Sequence, residues 1–220
     1  MKLLSYDMSR LTAIFHITRL EGQAYLPSLA ALLTEKYAFV GAPKSLAEMK
    51  ADRIEFSHGY FEGSAIDRLE IYDDGIVISS RSSTDFIDRF LDDMLRWAVS
   101  ELGISVVNNR TVNRVYESSL IIEADEKILT PLKALEETAT LIQSHLLEAS
   151  GMNVPYYPSG YIIAADHSKN PQLKPALFRL ERRFASEFEL NQFYSIAPLR
   201  TPQHIGVLEK IEATFLTSTS

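Results

Sequence analysis

Apolar and polar residues alternate at the period of a strand over residues 11–20. Leu11, Ala13, Phe15 and Ile17 interleave there with Thr12, His16 and Thr18. Pro27 then opens a segment in which Leu29, Leu32 and Leu33 fall at helical spacing, and proline suits a first helical turn, so a helix is expected over 27–36. Residues 37–40 form a short β-prone run, broken by Gly41 and Pro43, with a helical turn expected over 45–50.

The clearest patterning lies between 53 and 102. Ile54, Phe56 and His58 alternate with Glu55 and Ser57, and Ile66, Leu69 and Ile71 lead to Asp73-Asp74-Gly75 and then Ile76, Val77 and Ile78. An Asp-Gly pair between apolar runs is a hairpin signal, because glycine tolerates the positive φ of a tight turn. A helix follows to about 102. Phe86, Phe90, Met94 and Trp97 form one stripe, which Ile87, Leu91 and Leu95 widen. Ser83, Thr84 or Asp85 can cap its first N–H groups, and Gly103 is placed to end it.

Further strands are expected at 104–107 and 112–123, separated by a turn at Asn108-Asn109. A long helix from Pro131 to Gly151 carries Leu132, Leu135, Ala139, Ile142 and Leu146 on one face. Residues 153–160 (NVPYYPSG) form a loop, because two prolines and a glycine forbid regular structure. A short strand follows at 161–165, then a polar loop over 167–175. Residues 177–188 fit either period and are assigned to strand as far as Arg183. A final amphipathic helix at 204–216 carries Ile205, Leu208, Ile211 and Phe215. No internal repeat stands out and no linker divides the chain. The order mixes hairpins with helices, so the expected fold is α+β: a mainly antiparallel sheet covered by three or more helices. One domain is expected over 1–216, with a possible subdivision near 103–110 and a frayed tail at 217–220.

Composition narrows the function more than it names it. There are no cysteines in 220 residues, which removes disulfides, thiolate nucleophiles and cysteine-ligated metals. No apolar run is long enough for a signal peptide core or a spanning helix. The chain is therefore expected to be cytoplasmic, with no membrane partner. The net charge of −7 disfavours nucleic acid, which is bound by neutralising phosphates with Lys and Arg. The charge is also uneven. Residues 65–101 and 117–148 are each net −5, whereas 169–183 carry five basic residues and one Glu.

No complete catalytic signature is present. Gly41-Ala42-Pro43-Lys44-Ser45 ends like a phosphate-binding loop, but Pro43 stands where a glycine N–H is needed. The hydroxyl run 79–84 precedes a helix start, yet Asp85, Asp88, Asp92 and Asp93 oppose an anion there. Asp88 and Asp92, four apart on one helical face, are a metal candidate. Asp125 and Lys127, after the apolar run 120–122, match the second half of a metal-dependent nuclease core. There the acid would hold Mg²⁺ and the lysine would position water. No two histidines have metal-ligand spacing, and each is expected to be a surface or capping residue. Asp166-His167-Ser168 supplies triad residue types but no nucleophile elbow.

The composition most suggestive of contact is Tyr156, Tyr157 and Tyr161 beside Pro155 and Pro158, since tyrosine gives contact area at low entropic cost. With the basic Arg179, Arg182 and Arg183, these are the candidate interface residues. The sequence thus favours a non-catalytic interaction protein without a cofactor, partnered by itself or by another subunit. The alternative is a metal-dependent hydrolase or nuclease using Asp125 and Lys127.

Overall fold

The computed structural model describes residues 1–15, 17–19, 26–43, 53–72, 74–102, 104–106, 113–166, 168–169, 175–184 and 186–217. His16, the turn at 45–50, Asp73, Gly103, the Asn108-Asn109 turn, His167 and the tail beyond 217 lie outside the described residues.

The fold is α+β. Its strands are β1 (Lys2–Ile14), β2 (Ile17–Arg19), β3 (Arg53–Phe61), β4 (Ser64–Tyr72), β5 (Gly75–Ser80), β6 (Ile104–Val106), β7 (Asn113–Glu123), β8 (Gly160–Ile163), β9 (Phe178–Arg182) and β10 (Gln192–Ala197). Its helices are α1 (Leu26–Tyr37), α2 (Thr84–Leu102), α3 (Glu136–Ser150) and α4 (Thr201–Thr217). Eight strands form an antiparallel sheet in the order β3-β4-β5-β1-β7-β10-β9-β8, and β2 pairs with β6.

The chain divides into two compact units. The first, here the N-unit, comprises Tyr6–Ser118 with Pro198–Thr201. The second, the C-unit, comprises Met1–Ser5, Ser119–Ala197 and Pro202–Ser220. The N-unit runs β1, β2, α1, β3, β4, β5, α2, β6; β2 pairs with β6, and the other strands lie in the order β1-β5-β4-β3. The C-unit runs β7, α3, β8, β9, β10, α4, with the order β7-β10-β9-β8. Apart from the β2–β6 pair, the two units therefore share one plan of strand, helix, three-strand meander and helix. This corrects the expectation of no repeat: the repetition is in topology, and residue patterns do not carry it.

The N-unit is built around a continuous apolar cluster. The α2 stripe predicted from spacing is buried at Phe86, Ile87, Phe90, Leu91, Met94 and Leu95. It packs with Ala30, Leu33 and Tyr37 of α1 and with Ile54, Phe56, Ile66, Leu69 and Ile78 of the sheet. Ser83 caps α2 as expected, its Oγ accepting from Phe86 N at 3.2 Å.

Several boundaries differ from the sequence reading. The strand expected over 11–20 is two, β1 from Lys2 to Ile14 and β2 from Ile17 to Arg19; the β5 pairing covers Ser9–Ile14, and the residues before it are too polar in pattern to read as strand alone. Tyr37 ends α1 and starts no strand, and Ala38 at φ 51° breaks the helix. In β3 the buried positions are Ile54, Phe56 and then Gly59, whereas His58 is exposed. His58 has φ 55°, which shifts the inward face by one residue. The tight turn between β3 and β4 is Glu62-Gly63, both with positive φ (42° and 82°), as the favoured two-residue hairpin turn requires. Gly75 is needed for a different reason from the one expected. A Cβ there would lie 2.4 Å from the Ala13 carbonyl oxygen.

The helix expected from 131 starts as a 3-10 helix, Glu126–Leu135, and becomes α3 only after Pro131. A proline ring in the interior removes an N–H and crowds the preceding turn. Gly151, at φ 71°, ends α3 in the left-handed conformation. Strand β9 supports the strand reading of 177–183. Strand β10 was not anticipated, because its inward residues Phe193, Ser195 and Ala197 make too mixed a face to stand out.

Gly59 offers a direct test of N-unit packing. A Cβ there would lie 2.3–2.8 Å from three ring carbons of Phe39. That ring is buried against Phe56, 5.2 Å between centroids. Gly59→Ala is expected to cost about 2 kcal/mol by overpacking. In a Phe39→Leu background the added cost should fall by at least half, measured by urea denaturation as a double-mutant cycle.

Candidate functional site

The Tyr-Pro loop singled out in the sequence borders an open cavity of about 1130 Å³ in the C-unit. Lys127, Leu132 and Lys133 of the 3-10 helix form one wall, and Glu136, Thr140 and Gln143 of α3 continue it. Val154, Tyr156, Tyr157 and Pro158 form the second wall, and Arg182, Phe188 and Asn191 close the third. The loop is held to α3 by Gln143 Nε2, which donates to Asn153 Oδ1 at 2.9 Å.

Arg182 is fixed within this arrangement. Its Nη1 donates to the Phe188 carbonyl (2.9 Å) and to Asn191 Oδ1 (3.2 Å). Its guanidinium carbon stands 4.8 Å from the Phe188 ring centre and 5.3 Å from that of Phe193. Such cation–π contacts hold the charged plane against apolar surface. The Tyr157 ring meets Phe188 edge-on at 5.5 Å, yet Tyr157 remains 59% exposed.

Of the six interface candidates, the structure brings Tyr156, Tyr157 and Arg182 together around the cavity. Tyr161 lies on β8 beside Phe178, 6.4 Å between rings, and burial pushes its phenol pKa up. Arg179, exposed on β9, pairs with Glu181 at 3.1 Å. Arg183 is also exposed and bonds Gln192 Oε1 at 3.1 Å.

Sequence reasoning did not anticipate how much apolar side chain the C-unit exposes, of which only Phe188 lines the cavity. Leu141, Ile142 and Leu147 of α3 are exposed, as are Leu135, Phe184, Phe188, Leu190, Ile162 and Ile163. Leu135 and Ile142 were expected on a packed helix face, so this corrects that expectation. The signal was present. Leu135, Leu141, Ile142, Leu146 and Leu147 spread over more of the helix than one sheet-facing stripe covers.

The residues of the hydrolase alternative have other partners. Asp125 is the N-cap of the 3-10 helix, its Oδ1 accepting from Lys127 N at 2.9 Å, and its own N–H donates to Glu212 Oε1 at 2.9 Å. Asp88 and Asp92 share the Arg114 guanidinium, at 2.7 and 2.5 Å. Asp88 also accepts from Tyr116 Oη (2.9 Å) and Arg200. Burial opposes the charge on Arg114, but hydrogen bonds to Asp92 and Asp88 outweigh it and raise its pKa. Burial, then the Asp88 hydrogen bond, raises that of Tyr116. Among the described residues, no group of three or more His, Asp or Glu side chains is placed to hold a metal ion.

A Ser–His pair that sequence spacing did not suggest lies in the C-unit. Ser195 Oγ is 2.9 Å from His204 Nε2 and donates to the Arg179 carbonyl at 2.8 Å. With its one proton on that carbonyl, the hydroxyl accepts from Nε2–H. Both side chains are fully buried, so the pair joins α4 to the sheet and offers no route to a substrate. His204 is thus neither a surface nor a capping residue, contrary to expectation.

The chain matches no known protein-family model and no curated protein sequence. Among the described residues no helix is long and apolar enough to cross a membrane.

Proposed function

We propose that this chain is a non-catalytic interaction protein and that the C-unit carries its binding surface. One observation supports this above the others. Of the twenty-one exposed large apolar side chains among the described residues, fourteen fall between 135 and 190. Exposed apolar residues scattered singly are ordinary, but a concentrated patch marks a contact surface. Tyrosines at the cavity mouth suit such a contact, since they offer apolar area with a polar tip. The absence of cysteine fits a reducing cytoplasmic setting.

The purified protein is expected to be associated, with itself or with a co-purifying partner, when its mass is measured by light scattering coupled to gel filtration. Because both charge signs contribute, the associated fraction should fall as salt is raised. Tyr157→Asp, at an exposed position, should lower that fraction at least tenfold with the far-ultraviolet circular dichroism spectrum unchanged. A wild-type protein that is strictly monomeric at every concentration and salt level, with no partner, would overturn the proposal.

A further inference from the structure

The C-unit cavity sorts its charges by depth. Seven charged side chains line it, and five of them are exposed: Glu126, Glu136, Glu187, Glu189 and Lys133. Lys127 and Arg182 are half-buried, and neither has an ion-pair partner among the described residues. Water and salt screen exposed charges far more than sheltered ones, so the field inside the cavity is set chiefly by the two cations. Sheltering a charge from water without a counter-charge is unfavourable, and an anion entering the cavity offsets that cost.

Arg182 supplies the geometry. Its Nη1 is taken by the Phe188 carbonyl and Asn191 Oδ1. Its other edge, Nε with Nη2, has no partner among the described residues. Those two parallel N–H groups match the two oxygens of a carboxylate. The surrounding backbone is tied in place: Arg182 N donates to the Ser159 carbonyl at 2.7 Å, and Ala124 N to the Asn191 carbonyl at 3.1 Å. Leu132, Val154, Tyr156, Tyr157 and Phe188 add apolar and aromatic lining. A concavity that joins apolar walls to a few placed polar groups has the character of a small-ligand site. We propose that the cavity binds a monocarboxylic acid with an aromatic body. The carboxylate takes the free edge of Arg182 in the field of Lys127, and the ring lies against Tyr157 and Phe188. A single negative charge fits better than a phosphate dianion, because the exposed glutamates repel the dianion about twice as strongly. This goes beyond the reading of the C-unit as a protein-contact surface, since it names a small ligand and the groups that hold it.

The test titrates the full chain with naphthylacetate by isothermal calorimetry, beside two matched probes, the neutral naphthylacetamide and naphthyl phosphate. Saturable one-to-one binding of the acid is expected, about tenfold or more tighter than the amide, because only the acid makes charge-assisted hydrogen bonds. Arg182→Gln should weaken the acid by about tenfold and Lys127→Gln by about threefold, with amide binding unchanged in Lys127→Gln. Lys133→Gln, at an exposed position, should leave the acid unaffected. Arg182 also holds the Phe188–Asn191 turn, so Lys127→Gln decides the matter if Arg182→Gln fails to fold. No saturable binding of the acid, or equal affinity for acid and amide, overturns the site. Tighter binding of the phosphate than of the acid overturns the carboxylate as its ligand. Light scattering on the same samples separates this proposal from the protein-contact reading. Association without acid binding overturns the acid site alone, and acid binding by a monomer with no partner overturns the contact reading alone.

Discussion

Replacing Phe90 with Ala is expected to destabilise the protein by about 4 kcal/mol, the upper part of the range for an aromatic deleted from a core. The ring is fully buried. It meets Tyr37 edge-on at 4.8 Å and Phe61 at 5.5 Å, and such pairs add to the area they bury. Shrinking the cavity left behind on its closest aromatic side would require Tyr37 to move. Tyr37 is restrained by its hydroxyl, which donates to Asp93 Oδ2 at 2.8 Å, and Lys36 holds the same carboxylate at 3.0 Å. Phe90→Leu, which keeps more of the volume, should cost about half as much. Urea denaturation would read both as shifts in midpoint at unchanged slope. A loss below about 1 kcal/mol for Phe90→Ala would mean that the aromatic cluster relaxes, contrary to the packing described.

Asp88→Ala is expected to cost about 3 kcal/mol, for electrostatic reasons. Removing one partner of a buried charge pair leaves the other charge uncompensated. Here two guanidiniums, Arg114 and Arg200, and the Tyr116 hydroxyl converge on one buried carboxylate. Arg200 is 40% exposed, so solvent screens part of the loss, and the value sits at the low end for a buried pair. Arg200→Ala should cost about 1 kcal/mol, because Asp88 keeps Arg114 and Tyr116. The ordering of the two variants, read by thermal or urea unfolding, is the test. Equal losses would show that Asp88 is not the centre of the cluster. A stabilised Asp88→Ala would return the carboxylate pair to consideration as a cation site.

Legibility in the sequence followed locality. The α2 stripe, its Ser83 cap, the Gly151 stop and the strand at 178–182 were all readable, because each depends on residues within a few positions. The three-fold convergence on Asp88 was not, since Arg114 and Arg200 are 26 and 112 positions away. Tyr156, Tyr157 and Arg182 were proposed as contact residues from composition. Their meeting at one cavity needed the fold of the C-unit. Ile142 was assigned to a packed face because a helical stripe says which residues share a side and not whether anything lies opposite.

The sequence by itself determined the α+β class, most element positions, the lack of thiol chemistry and the uneven charge, since propensity, periodicity and composition act locally. Tertiary structure alone decided that strand β1 starts at Lys2, that Ser195 meets His204, and that the two halves share one topology. It also decided that Leu141, Ile142 and Leu147 of α3 and Ile162 and Ile163 of β8 remain in water. Strand pairing and burial depend on which distant segments meet, and a single chain's pattern of polar and apolar residues does not encode those partners.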